Sequence, residues 1–182
     1  MTTITLKNVR LSFPQIWTPK AYMEGQTAKY SANLLLDKEG DKEQIDMLKK
    51  AIKQAATVSF NGEIPKGLKS FLGDGNEKAY DGYENAMFVS CSTRQRPTTI
   101  DRDRTPLVEE DEKLYAGCYV NAAISIWVQN NQFGKRVNSN LLALQFVKDG
   151  ESFGGGGVKV NDVFDDISSE QAADAAEDDF LS

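Results

Sequence analysis

The chain has 182 residues, 40% of them hydrophobic and 26% charged, with a formal net charge of −6 and no histidine. That supplies one ordinary core, and no apolar run approaches the roughly 20 residues of a membrane-spanning helix. Without histidine, the commonest metal ligand and the usual acid–base group near neutral pH are missing, so an enzyme is not the expected class.

Ile4, Leu6, then Val9, Leu11 and Phe13 alternate with polar residues, with a phase change near Asn8. That pattern predicts a first strand with a bulge. The same alternation lacks the continuous apolar stretch of a signal peptide, so a cytoplasmic protein is expected. Pro14 and Pro19 bracket a predicted loop holding Trp17 and Lys20, with Tyr22 beyond it. Lys29–Leu36 reads as a second strand. Asp41 to Thr57 reads as a helix capped by Asp41, with Ile45, Leu48, Ile52 and Ala55 on one face.

Residues 58–85, rich in Gly, Lys and Tyr, are expected to form a long irregular excursion. A strand at Met87–Thr93 precedes a second polar excursion over Arg94–Asp111. Tyr115–Gln129 carries the clearest β alternation, with Trp127 on its more polar face, where the sequence leaves both a core and a surface position open. A turn at Asn130–Gly134 leads into a last strand opened by Lys135 and Arg136. Phe153 and Gly154–Gly157 then form an expected hinge.

Four or five strands fit a β-sandwich nearly as well as a barrel, and the one inserted helix tips the expectation to a mainly β, OB-like Greek-key barrel spanning residues 1–157. An acidic tail, expected to be disordered, occupies 158–182. Cys91 and Cys118 lack metal-site spacing and are expected to be buried, inert thiols. No motif calls for a cofactor or a metal.

Charge is polarised along the chain. Eight acids and no Lys or Arg fall in residues 161–182, which leaves residues 1–160 with 19 acids against 21 bases. A mildly basic body suits phosphates, and an anionic tail suits competition for the same groove. Asp178, Asp179 and Phe180 close the tail as an acidic string with one ring, a docking-peptide pattern, although a purely solubilising tail has the same composition.

Unpaired nucleic acid exposes base faces and a phosphate line, so its binders combine aromatic platforms with cations. Trp17, Lys20, Tyr22, Lys29, Tyr30, Arg94, Arg96, Trp127, Phe133, Lys135 and Arg136 interleave the two kinds and are the candidate DNA-binding set. Two other classes stay open. Asp74, Asp81, Asp101 and Asp103 raise a metal-dependent nuclease, although Asp101-Arg102-Asp103-Arg104 reads as a self-neutralising loop. The tail alone raises an adaptor without DNA affinity.

Arg10-Leu11-Ser12-Phe13-Pro14, Lys29-Tyr30-Ser31-Ala32, Arg96-Pro97 with Asp101, Tyr115 to Val120, Gly134 to Asn138 and Asp149 to Gly156 occur in this order. The set resembles a phage family once catalogued as a domain of unknown function and associated with OB-fold single-stranded-DNA-binding proteins. That resemblance implies binding of single strands in phage replication or recombination. It also implies recruitment of replication enzymes, such as a polymerase or helicase, through the tail; the sequence leaves a homo-oligomer open.

Overall fold

The structure, a computed structural model, describes residues 2–153. Eight strands and one helix follow the order β1 (Thr2–Lys20), β2 (Lys29–Asp37), α1 (Lys42–Ser59), β3 (Lys69–Ser70), β4 (Leu72–Asp74), β5 (Ala86–Thr93), β6 (Thr98–Ile100), β7 (Tyr119–Asn131) and β8 (Gly134–Lys148). The expected hinge at Gly154–Gly157 and the acidic tail lie outside the described residues.

Five strands close a barrel. β2 pairs with β1 and β5, β7 pairs with β1 and β8, all antiparallel. A parallel bridge between Ser92 of β5 and Asn140 of β8 joins the two ends. The resulting circuit β1–β2–β5–β8–β7 is the Greek-key order of an OB-fold barrel. Alternation along the strands sends Leu6, Val9 and Leu11 of β1, Leu34 and Leu36 of β2, and Val120 and Ile124 of β7 into a shared core with Leu141 and Leu144 of β8.

The first strand departs from the sequence reading in one way and follows it in another. The phase change falls where expected: Asn8 sits at φ +54°, and the β1–β7 register slips between Leu6 and Val9. Asn tolerates that left-handed conformation better than most residues. The predicted loop between Pro14 and Pro19 is instead a continuation of β1, so Trp17 and Lys20 lie on a strand. Proline needs a place where the ladder does not require its missing N–H. A second register shift between Ser12 and Gln15, with Phe13 at φ +45°, and a third between Gln15 and Lys20 provide such places.

The helix arrives as expected but is anchored differently. Ile45, Leu48 and Ala56 are buried, with Ile52 and Ala55 packed on the core edge, against β2, β7 and β8. Asp41 makes no side-chain cap to the helix N–H groups. Its carboxylate accepts hydrogen bonds from the Asp37 backbone N–H (2.9 Å) and from Gln44 Nε2 (3.2 Å). Gln44 in turn exchanges two hydrogen bonds with the Lys7 backbone, tying α1 to the barrel. The two polar excursions also carry more order than their composition suggests: β3 and β6 pair parallel to β8, and β4 pairs with β5.

Arg10 locks the far end of the domain to the barrel. Its guanidinium donates to the Gly117 carbonyl (3.0 Å) and to the Glu151 carbonyl, and lies 4.2 Å from the Phe153 ring centroid. Tyr115 supports the same corner, donating its hydroxyl to the Gly150 carbonyl and accepting from the Gly150 N–H. Gly117 sits at φ +114°, where a Cβ would stand 2.2 Å from the Glu151 carbonyl oxygen. Strain plus that clash sets the expected result for Gly117→Ala: a loss of about 1–3 kcal/mol, read as a lower urea midpoint with an unchanged slope. An unchanged midpoint would contradict the close approach of residues 117 and 151.

Candidate nucleic-acid interface

Outward-facing residues of β2, β5, β7 and β8 frame an open groove of about 860 Å³ over the seam where the barrel closes. β2 contributes Lys29, Ser31 and Asn33, every second residue, while Ala32 and Leu34 face the core. β8 contributes Arg136, Asn138, Asn140 and Leu142 by the same alternation, and β7 adds Trp127 and Gln129 opposite them. Tyr22 reaches in from the β1–β2 loop, and Arg94 from the end of β5. In an OB-fold, this second-and-third-strand face with its bordering loops is the surface that meets oligonucleotides.

The lining is polar and one-signed. Among the described residues it holds Lys29, Arg94 and Arg136 and no carboxylate, in a chain whose net charge is −6. Most of the remaining lining is Ser, Thr, Asn and Gln, unlike the mainly apolar wall of a small-molecule pocket. A hydrogen-bonded lattice fixes these groups. Arg136 donates Nε to Asn138 Oδ1 (3.0 Å) and Nη2 to the Ser70 carbonyl (3.2 Å), which orients the guanidinium while leaving other donors of its fork. Asn138 Nδ2 donates to Gln129 Oε1 (3.0 Å). Trp127 is half-buried and donates Nε1 to Asn140 Oδ1 (3.1 Å), so its ring is a held element of the groove wall and not part of the core.

The structure brings five of the sequence candidates together in this groove: Tyr22, Lys29, Arg94, Trp127 and Arg136. Lys20 stands at the rim, its ammonium 5.3 Å from the Tyr22 ring centroid. Phe133 is 81% exposed at the tip of the β7–β8 hairpin, and Lys135 extends 5.8 Å from the Phe60 ring on the helix side. Trp17 and Arg96 meet each other instead, the guanidinium 5.0 Å above the indole, with Arg96 also donating to Thr99 Oγ1. Tyr30 lies on the strand face opposite Lys29 and Ser31 and is half-buried. Asn33, Gln129, Asn138 and Asn140 were not singled out from the sequence, where the polar run Asn138-Ser139-Asn140 hides which residues face outward.

The acids raised for metal chemistry are dispersed. Asp74 pairs with Lys38 at 2.8 Å, and Asp101 pairs with Lys113 rather than with the arginines beside it, correcting the self-neutralising reading of that loop. The ammonium partners hold both carboxyls below their usual range, and hydrogen bonds from Thr105 do the same for Asp103. Among the described residues no three His, Cys, Asp or Glu side chains converge. Among the same residues no helix is long and apolar enough to cross a membrane.

A family model described as the single-stranded-DNA-binding protein of Enterobacter phage Enc34 matches residues 2–181. The chain belongs to the Enc34 single-stranded-DNA-binding protein family. A curated relative, the putative protein p50 of Acyrthosiphon pisum secondary endosymbiont phage 1, is 39% identical over 175 residues, covering 91% of this chain and 94% of that one. The Enc34 protein, solved in complex with single-stranded DNA, superposes with a TM-score of 0.77 at 29% identity, covering 84% of this chain and 89% of that one. The bacteriophage T7 protein gp2.5, also a single-stranded-DNA-binding protein, matches with a TM-score of 0.57 at 14% identity over 91% of this chain and 96% of that one, a likeness of fold.

Both cysteines are free and buried, Cys91 against the groove floor. Burial pushes the Cys91 thiol up to about 12 and the Cys118 thiol up to about 11. The thiolate is the reactive form, so both stay protonated well above neutrality. A disulfide reagent near pH 8 is expected to leave the native protein unmodified and to titrate both cysteines after unfolding. Rapid reaction of native Cys91 would contradict its placement.

Proposed function

We propose that this protein binds single-stranded DNA without sequence preference, through the groove over the β5–β8 seam, and performs no catalysis. The observation that carries this reading is the groove itself: three cations, two aromatic side chains at its edges and, among the described residues, no carboxylate in its lining. Membership of the Enc34 family, and the Enc34 protein's complex with single-stranded DNA, support it. Tyr22 and Trp127 offer rings for bases, while Lys29, Arg94 and Arg136 take phosphates. Lys20 extends the path at its rim, and Phe133 and Lys135 offer a further ring and cation at the β7–β8 hairpin. Ser, Asn and Gln side chains, already satisfied within the lattice, solvate the strand without reading its sequence.

The same reading places the protein in DNA replication or recombination in the cytoplasm of a phage-infected host. The domain ends near residue 157, and residues 158–182 act as an anionic competitor for the groove and as a docking peptide for replication enzymes, with Asp178, Asp179 and Phe180 at its focus.

Titration with oligo-dT, followed by tryptophan fluorescence, tests it. Binding is expected to quench fluorescence and to weaken steeply with salt. Trp127→Ala is expected to cost about 1–3 kcal/mol of affinity. Lys29→Ala is expected to reduce the salt slope by about 0.7, the share of one phosphate contact on a single strand. Absence of binding at low salt would overturn the function, and unchanged affinity in both variants would overturn the site.

A further inference from the structure

Beyond the groove, on the outer side of β1, lies a second cleft of about 270 Å³ lined by Ser12, Phe13, Ala79, Tyr80, Asp81, Ala116 and Phe153. Two of its rings are open to solvent: Phe13 is 52% exposed and Tyr80 is 50% exposed. They meet edge to face, with centroids 4.9 Å apart. A large apolar side chain normally leaves the surface of a strand by turning inward. Phe13 is prevented from doing so by the register shift after Ser12 and by its left-handed backbone at φ +45°. A bulge re-aims a side chain, and backbone strain in a bulky residue gathers at functional positions.

The cleft and the groove are linked through one buried side chain that lines neither of them. Tyr83 is fully buried between them, with its ring centroid 5.3 Å from Tyr80 and 6.3 Å from Phe13. Its hydroxyl accepts a hydrogen bond from Asn33 Nδ2 (2.8 Å), a groove residue, and lies 2.9 Å from Ser12 Oγ, a cleft residue. The charges around the cleft are ordered too. Asp81 puts a carboxylate in the lining, which accepts an N–H from a base and repels a phosphate. Lys78, one residue before the lining, stands 5.8 Å from the Phe88 ring that packs on Tyr83. Base inside and phosphate outside is the arrangement these charges favour.

We propose that Phe13 and Tyr80 form a second stacking subsite, which takes an unpaired base of the same strand beyond the main groove, on the far side of the Asn33–Tyr83–Ser12 contact. The proposal rests on the groove being a single-strand path and adds the direction in which that path continues. The subsite is separate from the Trp127 side of the groove, so its contribution appears only once the strand is long enough to reach it.

The experiment uses the full chain and an oligo-dT series from about 4 to about 16 nucleotides, the range of site sizes for one OB barrel. The variant is Phe13→Gly with Tyr80→Ala, because glycine suits the left-handed backbone that Phe13 occupies and both rings are exposed. Tyr80→Phe serves as the conservative control. The double variant is expected to match the wild type on the shortest oligonucleotides and to bind the longest about tenfold or more weakly, the effect of losing about one stacked base. Tyr80→Phe is expected to bind like the wild type throughout. If the double variant equals the wild type at every length while Trp127→Ala weakens binding, the subsite is wrong and the groove stands. Tighter binding by the double variant at every length would assign the cleft to a competing segment of the chain and also overturn the subsite. A wild type that binds no oligonucleotide would remove the groove and the subsite together.

Discussion

The functional surface depends on one seam. β5 and β8 lie far apart in sequence and meet in parallel at Ser92 and Asn140, where the Ser139 hydroxyl also donates to the Ser90 carbonyl at 2.8 Å. Without that closure the five strands form an open sheet with two edges, and the outward residues of β2, β5 and β8 no longer share one surface. With it, the core side chains fill the barrel and every second residue on these strands faces a single groove. The bridge residues Ser92 and Asn140, and the Ser139 and Ser90 pair that link β5 to β8, also line the groove, so the fold is closed and the interface built by the same few residues.

Charge is then segregated around this surface. Among the described residues the groove carries cations alone, while Asp74 at the end of β4 and Asp101 are each paired with a lysine outside the groove lining. Exposed ion pairs of this kind contribute little stability. Their effect is on the field: acids held by lysines elsewhere leave the Lys29–Arg94–Arg136 set as a positive track among the described residues. A net charge of −6 conceals that track, because eight acids sit in residues 161–182.

Much of the barrel was legible in the sequence because its signals are local. Period-2 alternation gave the first strand and the one read at Tyr115–Gln129, which in the structure starts at Tyr119 after the Gly117 turn, and the slip at Asn8 gave the bulge. Two prolines misled the reading of Trp17 and Lys20, since a strand tolerates proline where its ladder already breaks, and those breaks depend on β2 and not on β1 alone. The short strands β3, β4 and β6 exist only through pairing with β5 and β8, so no local pattern announces them. In the interface, the cations and rings on alternating strands were recognisable by residue type, whereas the Trp17–Arg96 pair was not. Stacking one candidate on another is a tertiary event, and the polar lattice of Asn33, Gln129, Asn138 and Asn140 likewise becomes visible only when four strands are assembled.

The most direct measurement of where a strand lies is amide hydrogen exchange of the full chain with and without saturating oligo-dT. Ordering by the ligand is expected to slow exchange in β2 around Lys29–Asn33, at the end of β5 around Ser92–Arg94, in the β1–β2 loop around Tyr22 and along β8 around Arg136–Leu142. The helix face bearing Lys49, Lys50 and Lys53 is expected to exchange as before. Protection confined to α1 or to the loop of residues 101–113, with the four groove segments unchanged, would contradict the account.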